Sequence, residues 1–124
     1  MAQKTTVHGI HHVCMRVADI GQAVDFYTRW MGYTVRFRWE GGAMLRAADG
    51  TCLEIFPEKA GKGYEHVAYC SGDVDADYRT ALDAGGEAVT PPKNVTVAGV
   101  LPARIAFFRD PCGSLVELFE EKKK

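Results

Sequence analysis

Two imidazoles and two carboxylates occupy matched places in this chain. His12 lies in "HHVCMRV" and His66 in "EHVAYC", 54 positions apart, while Glu54 lies in "TCLEIF" and Glu117 in "SLVELF", 63 positions apart. Each motif alternates apolar and polar residues, the mark of a strand with one buried face. Val13, Met15, Val17, Leu53 and Ile55 share the packing face, so His12, Cys14, Arg16, Cys52, Glu54 and Phe56 share the other. The same rule sets His66, Ala68, Leu115, Glu117 and Phe119 on the corresponding face of the second copy. Taken singly, a strand His or Glu is ordinary core or surface polarity. Taken together, such groups in a concave apolar interior are costly unless they are paired or hold a cation. Two imidazoles and two carboxylates can hold one divalent transition metal and leave positions open to water or substrate. His11 points away from His12 by strand alternation and is read, with His8, as a surface or packing residue.

The elements that must carry these residues follow from an internal repeat. "HHVCMRVADIGQAVDFYTRWMGY" aligns without gaps on "EHVAYCSGDVDADYRTALDAGGE", placing His12 on His66, Asp19 on Asp73 and Gly32 on Gly86. "DGTCLEIF" aligns further on with "CGSLVELF". In each copy an Asp N-cap opens an amphipathic helix: Ile20, Val24, Tyr27 and Met31 in the first, Val74, Tyr78 and Leu82 in the second. A glycine closes each helix, and three short strands follow. The reading is an α+β fold of two tandem βαβββ modules, a curved mixed sheet around a metal-binding cavity with the helices outside. Residues 1–124 form one domain, with module 1 at about 8–58, module 2 at about 62–121 and "EKAGKG" as the joint. The second copy is nine residues longer, and the extra length is assigned to a loop within 90–104. Lys93 in that loop is a candidate contact for an anionic substrate tail.

Composition narrows the function classes. A formal charge of −1 over 124 residues gives no electrostatic case for a nucleic acid or an anionic membrane. No apolar run is long enough to span a bilayer, and "MAQKTTVHG" has no signal core, so a cytoplasmic protein is expected. The 4 cysteines lie far apart without a C-x-x-C pair and are read as reduced thiols. Cys14 and Cys52, beside the candidate ligands, are read as small apolar filler.

"DFYTRWMGY", "LEIF", "EHVAY" and "IAFFRDPCGSLVELFEE" resemble the vicinal-oxygen-chelate superfamily, the glyoxalase/bleomycin-resistance/dioxygenase group, over nearly the whole chain. Within it, the His–Glu–His–Glu set is most similar to bacterial glyoxalase I, or lactoylglutathione lyase. That resemblance implies His12, Glu54, His66 and Glu117 as ligands of one divalent ion. It favours Ni or Co, and an N₂O₂ donor set also accepts Zn or Mn, with Ni or Zn the leading choices. It implies Glu117 as the carboxylate that moves a substrate proton, with Glu54 the second candidate. Arg16 would contact the thiol part of a small-molecule substrate, beside Phe56 and Phe119. A homodimer is implied as well, with sites inside one chain or shared between chains.

The implied reaction isomerises the hemithioacetal of a 2-oxoaldehyde such as methylglyoxal by proton transfer through an enediolate. One departure concerns the thiol: Glu58 stands where glyoxalases of this type usually place an asparagine. Rival readings are an epimerase acting on a CoA ester, a thiol transferase, an extradiol dioxygenase, and a drug-binding resistance protein without catalysis. The epimerase subgroup usually has Gln where Glu54 stands, and the dioxygenase needs only two His and one carboxylate.

Overall fold

Asp19 accepts a hydrogen bond from the Gln22 amide at 2.9 Å, and Asp73 does the same for Ala76 at 3.1 Å. Each bond satisfies an amide that a helix start would otherwise leave without a partner. The computed structural model describes residues 5–58 and 63–122, so the "EKAGKG" joint lies mostly outside the described residues. The described elements run β1 (Ile10–Val17), α1 (Ile20–Arg29), β2 (Thr34–Trp39), β3 (Gly42–Arg46), β4 (Cys52–Pro57), β5 (Gly63–Cys70), α2 (Val74–Asp83), β6 (Glu87–Val97), β7 (Leu101–Arg109) and β8 (Leu115–Glu121). This is the expected α+β class, with βαβββ order in each half.

The chain divides into two compact units, His11–His66 and a second that joins the residues up to Ile10 to those from Val67 onward. In the first unit the strand order is β2-β3-β4-β1, with β4 parallel to β1 and β3 antiparallel to its neighbours. Val13, Met15 and Val17 pack with Leu53, Ile55, Leu45 and Val24 beneath α1, as alternation requires. Cys14 pairs with Glu54 and Arg16 with Phe56 across the parallel ladder, so both strands present the same face in register. The helix stops at Arg29 and leaves Trp30 and Met31 exposed, although Met31 continues the apolar spacing. Beyond them Gly32, with a left-handed φ of +78°, turns the chain towards β2.

In the second unit β5, β8, β7 and β6 follow one another, β8 parallel to β5 and the rest antiparallel. Ala68 pairs with Glu117, the counterpart of the Cys14–Glu54 pair. The loop expected within 90–104 is instead a long hairpin. β6 runs to Val97, turns through Ala98 and Gly99, and pairs with β7, Lys93 opposite Ile105 and Asn94 opposite Arg104. The ladder slips between Ala88 and Thr90 and again between Thr90 and Lys93. Pro91 and Pro92 have no amide to donate, so a bulge is where a strand can carry them. A Pro pair reads as a strand breaker in sequence; on this outermost strand it is tolerated.

The N-terminal segment is tied into the second unit. The His8 amide donates to the Cys70 carbonyl at 3.1 Å, and the Cys70 amide to Gly9 at 2.8 Å. Asp77, buried on α2, accepts from the Thr6 amide at 2.9 Å, the Thr6 hydroxyl and the Ser71 hydroxyl at 2.6 Å. Burial alone would raise the Asp77 pKa, but the bonds from Ser71 and Thr6 outweigh it and hold the carboxyl below its usual range. Asp77→Ala is expected to cost about 2–3 kcal/mol in denaturant unfolding, because bonds to a buried charge are lost and their donors stranded. A depressed folded pKa stabilises above the unfolded value of about 3.9 and loses its effect as pH falls through the folded value. The gap between wild type and Asp77→Ala should therefore be full at neutral pH and begin to narrow below about pH 4, as the carboxyl approaches its folded value.

Candidate metal centre

The parallel pairing of β4 with β1 sets Glu54 beside the strand that carries His12, and β5 brings in His66 from the end of the same unit. One donor atom from each of His12, Glu54 and His66 lies within 4.8 Å of the others, and all three residues are buried. The His12 Nε2 atom is 3.3 Å from Glu54 Oε1, and the His12 and His66 rings are 6.0 Å apart at 70°. Two imidazole nitrogens and a carboxylate oxygen at this spacing match the donor set of a divalent transition metal. The observed chemistry fits the ion anticipated from sequence.

Glu117 is buried on β8 in the second unit, where its strand neighbours are Ala68 on β5 and Phe107 on β7. Phe119, also buried, lies two residues further along β8. Lys93 is exposed on β6. Glu58 is exposed just beyond β4, its amide donating to Val17 at 2.9 Å.

Arg16 is occupied within the first unit. Its Nε donates to Glu65 Oε2 at 2.9 Å, its Nη1 to the Pro57 carbonyl at 3.3 Å, and its guanidinium lies 5.0 Å from the Phe56 ring centre. Phe56 in turn meets Trp39 edge-on at 5.8 Å, and Trp39 meets Phe37 at 5.7 Å. Gly42 makes room for Trp39, since a Cβ there would come within 2.9 Å of the indole.

Two residues beside the ligands escaped the alternation rule. His11 is buried, the packing alternative of its sequence reading, but its Nδ1 is 2.8 Å from His12 Nδ1, a contact that alternation did not anticipate. Glu65 Oε1 is 3.0 Å from His66 Nδ1. Burial opposes the charge on Glu65, but hydrogen bonds from Arg16 and His66 outweigh it and lower the carboxyl pKa. Alternation fixes where Cβ points; an imidazole Nδ1 lies close enough to the backbone to be reached from a neighbouring residue. A usable signal was present, because the repeat places His11 on Glu65 just as it places His12 on His66.

Cys14, Glu65 and His66 form a second group with donor atoms within 4.8 Å. The Arg16 guanidinium on Glu65 disfavours a cation there, and the Cys14 thiol lies 3.9 Å from the same carboxylate as a weak donor.

Residues 9–118 match the Glyoxalase/Bleomycin resistance protein/Dioxygenase superfamily, and the chain belongs to it. Among individual proteins it is similar to one named probable lactoylglutathione lyase from Vibrio cholerae serotype O1, with 29% identity across 94% of this chain and 93% of that one. Among solved structures it superposes on methylmalonyl-CoA epimerase from Mycobacterium tuberculosis with a TM-score of 0.80, at 23% identity over 99% of this chain and 94% of that one. A variant of Streptomyces coelicolor methylmalonyl-CoA epimerase in complex with 2-nitronate-propionyl-CoA gives a TM-score of 0.73, at 25% identity over 94% and 99% of the two chains. No helix among the described residues is long and apolar enough to cross a membrane.

Proposed function

We propose that this chain is a metal-dependent lyase of the glyoxalase I type, isomerising the hemithioacetal of a 2-oxoaldehyde such as methylglyoxal and a thiol. The observation that carries the reading is the buried Glu54 carboxylate 3.3 Å from His12 Nε2, where the epimerase subgroup usually has a neutral Gln. His12, Glu54 and His66 would hold the ion, with Glu117 proposed as the fourth donor on the strength of the repeat and the family resemblance. When bound, the ion supplies Lewis-acid stabilisation of charge developing on two vicinal substrate oxygens.

The protein's own part is to hold the substrate and move one proton. A carboxylate, assigned to Glu117 with Glu54 as the alternative, takes the proton from the carbon beside the carbonyl. It then returns that proton to the neighbouring carbon, so the reaction is a net isomerisation needing no oxidant or reductant. Phe56 and Phe119 are proposed to line the substrate, and Lys93 to meet an anionic tail. Arg16 is proposed to help hold the thiol part while remaining bound to Glu65. A homodimer is part of the same reading.

The experiment compares substrates on protein loaded with Ni²⁺, Co²⁺, Zn²⁺ or Mn²⁺. Hemithioacetals of glutathione and of other thiols are set against methylmalonyl-CoA, with Glu58→Asn alongside wild type. Hemithioacetal isomerisation is expected to dominate, with a thiol other than glutathione preferred and Glu58→Asn moving the preference toward glutathione. The epimerase reading has its own support in the two superposed structures; epimerisation without hemithioacetal turnover would establish it in place of the lyase.

A further inference from the structure

We propose that Glu65, itself held by Arg16, is the positioning residue that fixes the His66 imidazole with its proton on Nδ1 and so offers Nε2 to the metal. This inference rests on the reading of His12, Glu54 and His66 as ligands, and it adds a residue outside that set. The geometry is direct: Glu65 Oε1 is 3.0 Å from His66 Nδ1, and Glu65 Oε2 accepts from Arg16 Nε at 2.9 Å. An ionised carboxylate only accepts hydrogen bonds, so the nitrogen facing it must carry the proton. A neutral imidazole has one N–H, which leaves the lone pair on Nε2. Free imidazole side chains in water favour the opposite tautomer, which would present an N–H to a cation. Glu65 reverses that preference.

Arg16 completes the device. It binds the second oxygen of Glu65, and its own position is set by the Pro57 carbonyl and the Phe56 ring. The two contacts hold the carboxylate in one orientation, with Oε1 aimed at His66. The first copy of the repeat uses the same position differently: His11 stands in place of Glu65 and meets His12 Nδ1 at 2.8 Å. A neighbouring imidazole orients its partner without adding a negative charge. The two ligand histidines are thus unequal, His66 the more strongly donating of the pair.

Two measurements test this. ¹⁵N NMR of the metal-free protein at neutral pH reads the His66 tautomer, and calorimetry with Zn²⁺ reads affinity. Wild type is expected to carry the His66 proton on Nδ1, and Glu65→Leu to shift it toward Nε2 and lose about 10–100-fold in affinity. Glu65→Gln keeps a neutral acceptor of the same length; it should largely keep the tautomer while losing part of the affinity. Thermal unfolding of the metal-free forms establishes that each variant is folded. If Glu65→Leu does not fold, Glu65→Gln decides, and wild-type affinity in it overturns the proposal. A folded Glu65→Leu protein with the wild-type tautomer or the wild-type affinity overturns it as well. Should wild type bind no Zn²⁺, Ni²⁺ or Co²⁺, the ligand reading has failed, and the tautomer comparison alone still decides whether Glu65 orients His66.

Discussion

Glu117→Gln is expected to leave metal binding only modestly weaker and to cut turnover by roughly a hundredfold or more. The substitution keeps an oxygen donor of nearly the same size and removes the basic group. Affinity should fall a little because an anionic donor becomes a neutral amide. Turnover should fall far more if Glu117 carries the proton. Glu54→Gln is the control, with the milder kinetic loss expected there. Rates must be compared at saturating metal, or an empty site would imitate a missing base. Near-full activity in metal-loaded Glu117→Gln with a dead Glu54→Gln would show that the two carboxylates have exchanged roles. Activity in both would place proton transfer elsewhere and remove the glyoxalase-type mechanism.

The second large effect concerns the imidazoles. His66→Ala and His12→Ala should each lower divalent-metal affinity by about a hundredfold or more, taking one donor as about a quarter of the roughly 10–16 kcal/mol of a closed four-ligand Zn²⁺ site. Acidification of the wild type should release the ion as the histidines protonate. Calorimetry on wild type and both variants checks this, and unchanged affinity in the two variants would sink the site. The folded state matters too: each His is buried, so its replacement leaves a cavity, and unfolding curves of the metal-free forms separate that loss from the loss of a ligand.

Much of the architecture was legible because two periodicities were clean. Alternation in "HHVCMRV" and "TCLEIF" is a property of backbone pleat, and it correctly put Val13, Met15, Leu53 and Ile55 on one packing face. The Asp caps were equally direct, since a short side chain acting on an amide three residues ahead is a local event. The hairpin over β6 and β7 was not legible. Two adjacent prolines suggest a break, and only the partner strand shows that their missing donors fall at a bulge. Within the candidate site, alternation selected His12, Glu54 and His66, which the structure brings together. It passed over His11 and Glu65 for the same reason that it succeeded, because it reports the direction of Cβ and not the reach of the ring nitrogen. It also could not see that Arg16 would be held by Glu65, a contact across 49 residues of sequence.

The tie between Thr6 and Asp77 spans 71 positions and belongs to the second unit, whereas the repeat would divide the chain near residue 60. The covalent joint and the structural joint are therefore different places. A fragment cut at the repeat boundary would keep α2 and its buried Asp77 but strand that carboxylate without the Thr6 hydroxyl and amide. The halves of this chain look alike yet are not interchangeable parts. Closing a loop of that length carries an entropic cost that a local contact does not. During synthesis the residues around Thr6 leave the ribosome long before α2 exists, and they must wait, undocked, until the second unit arrives to receive them.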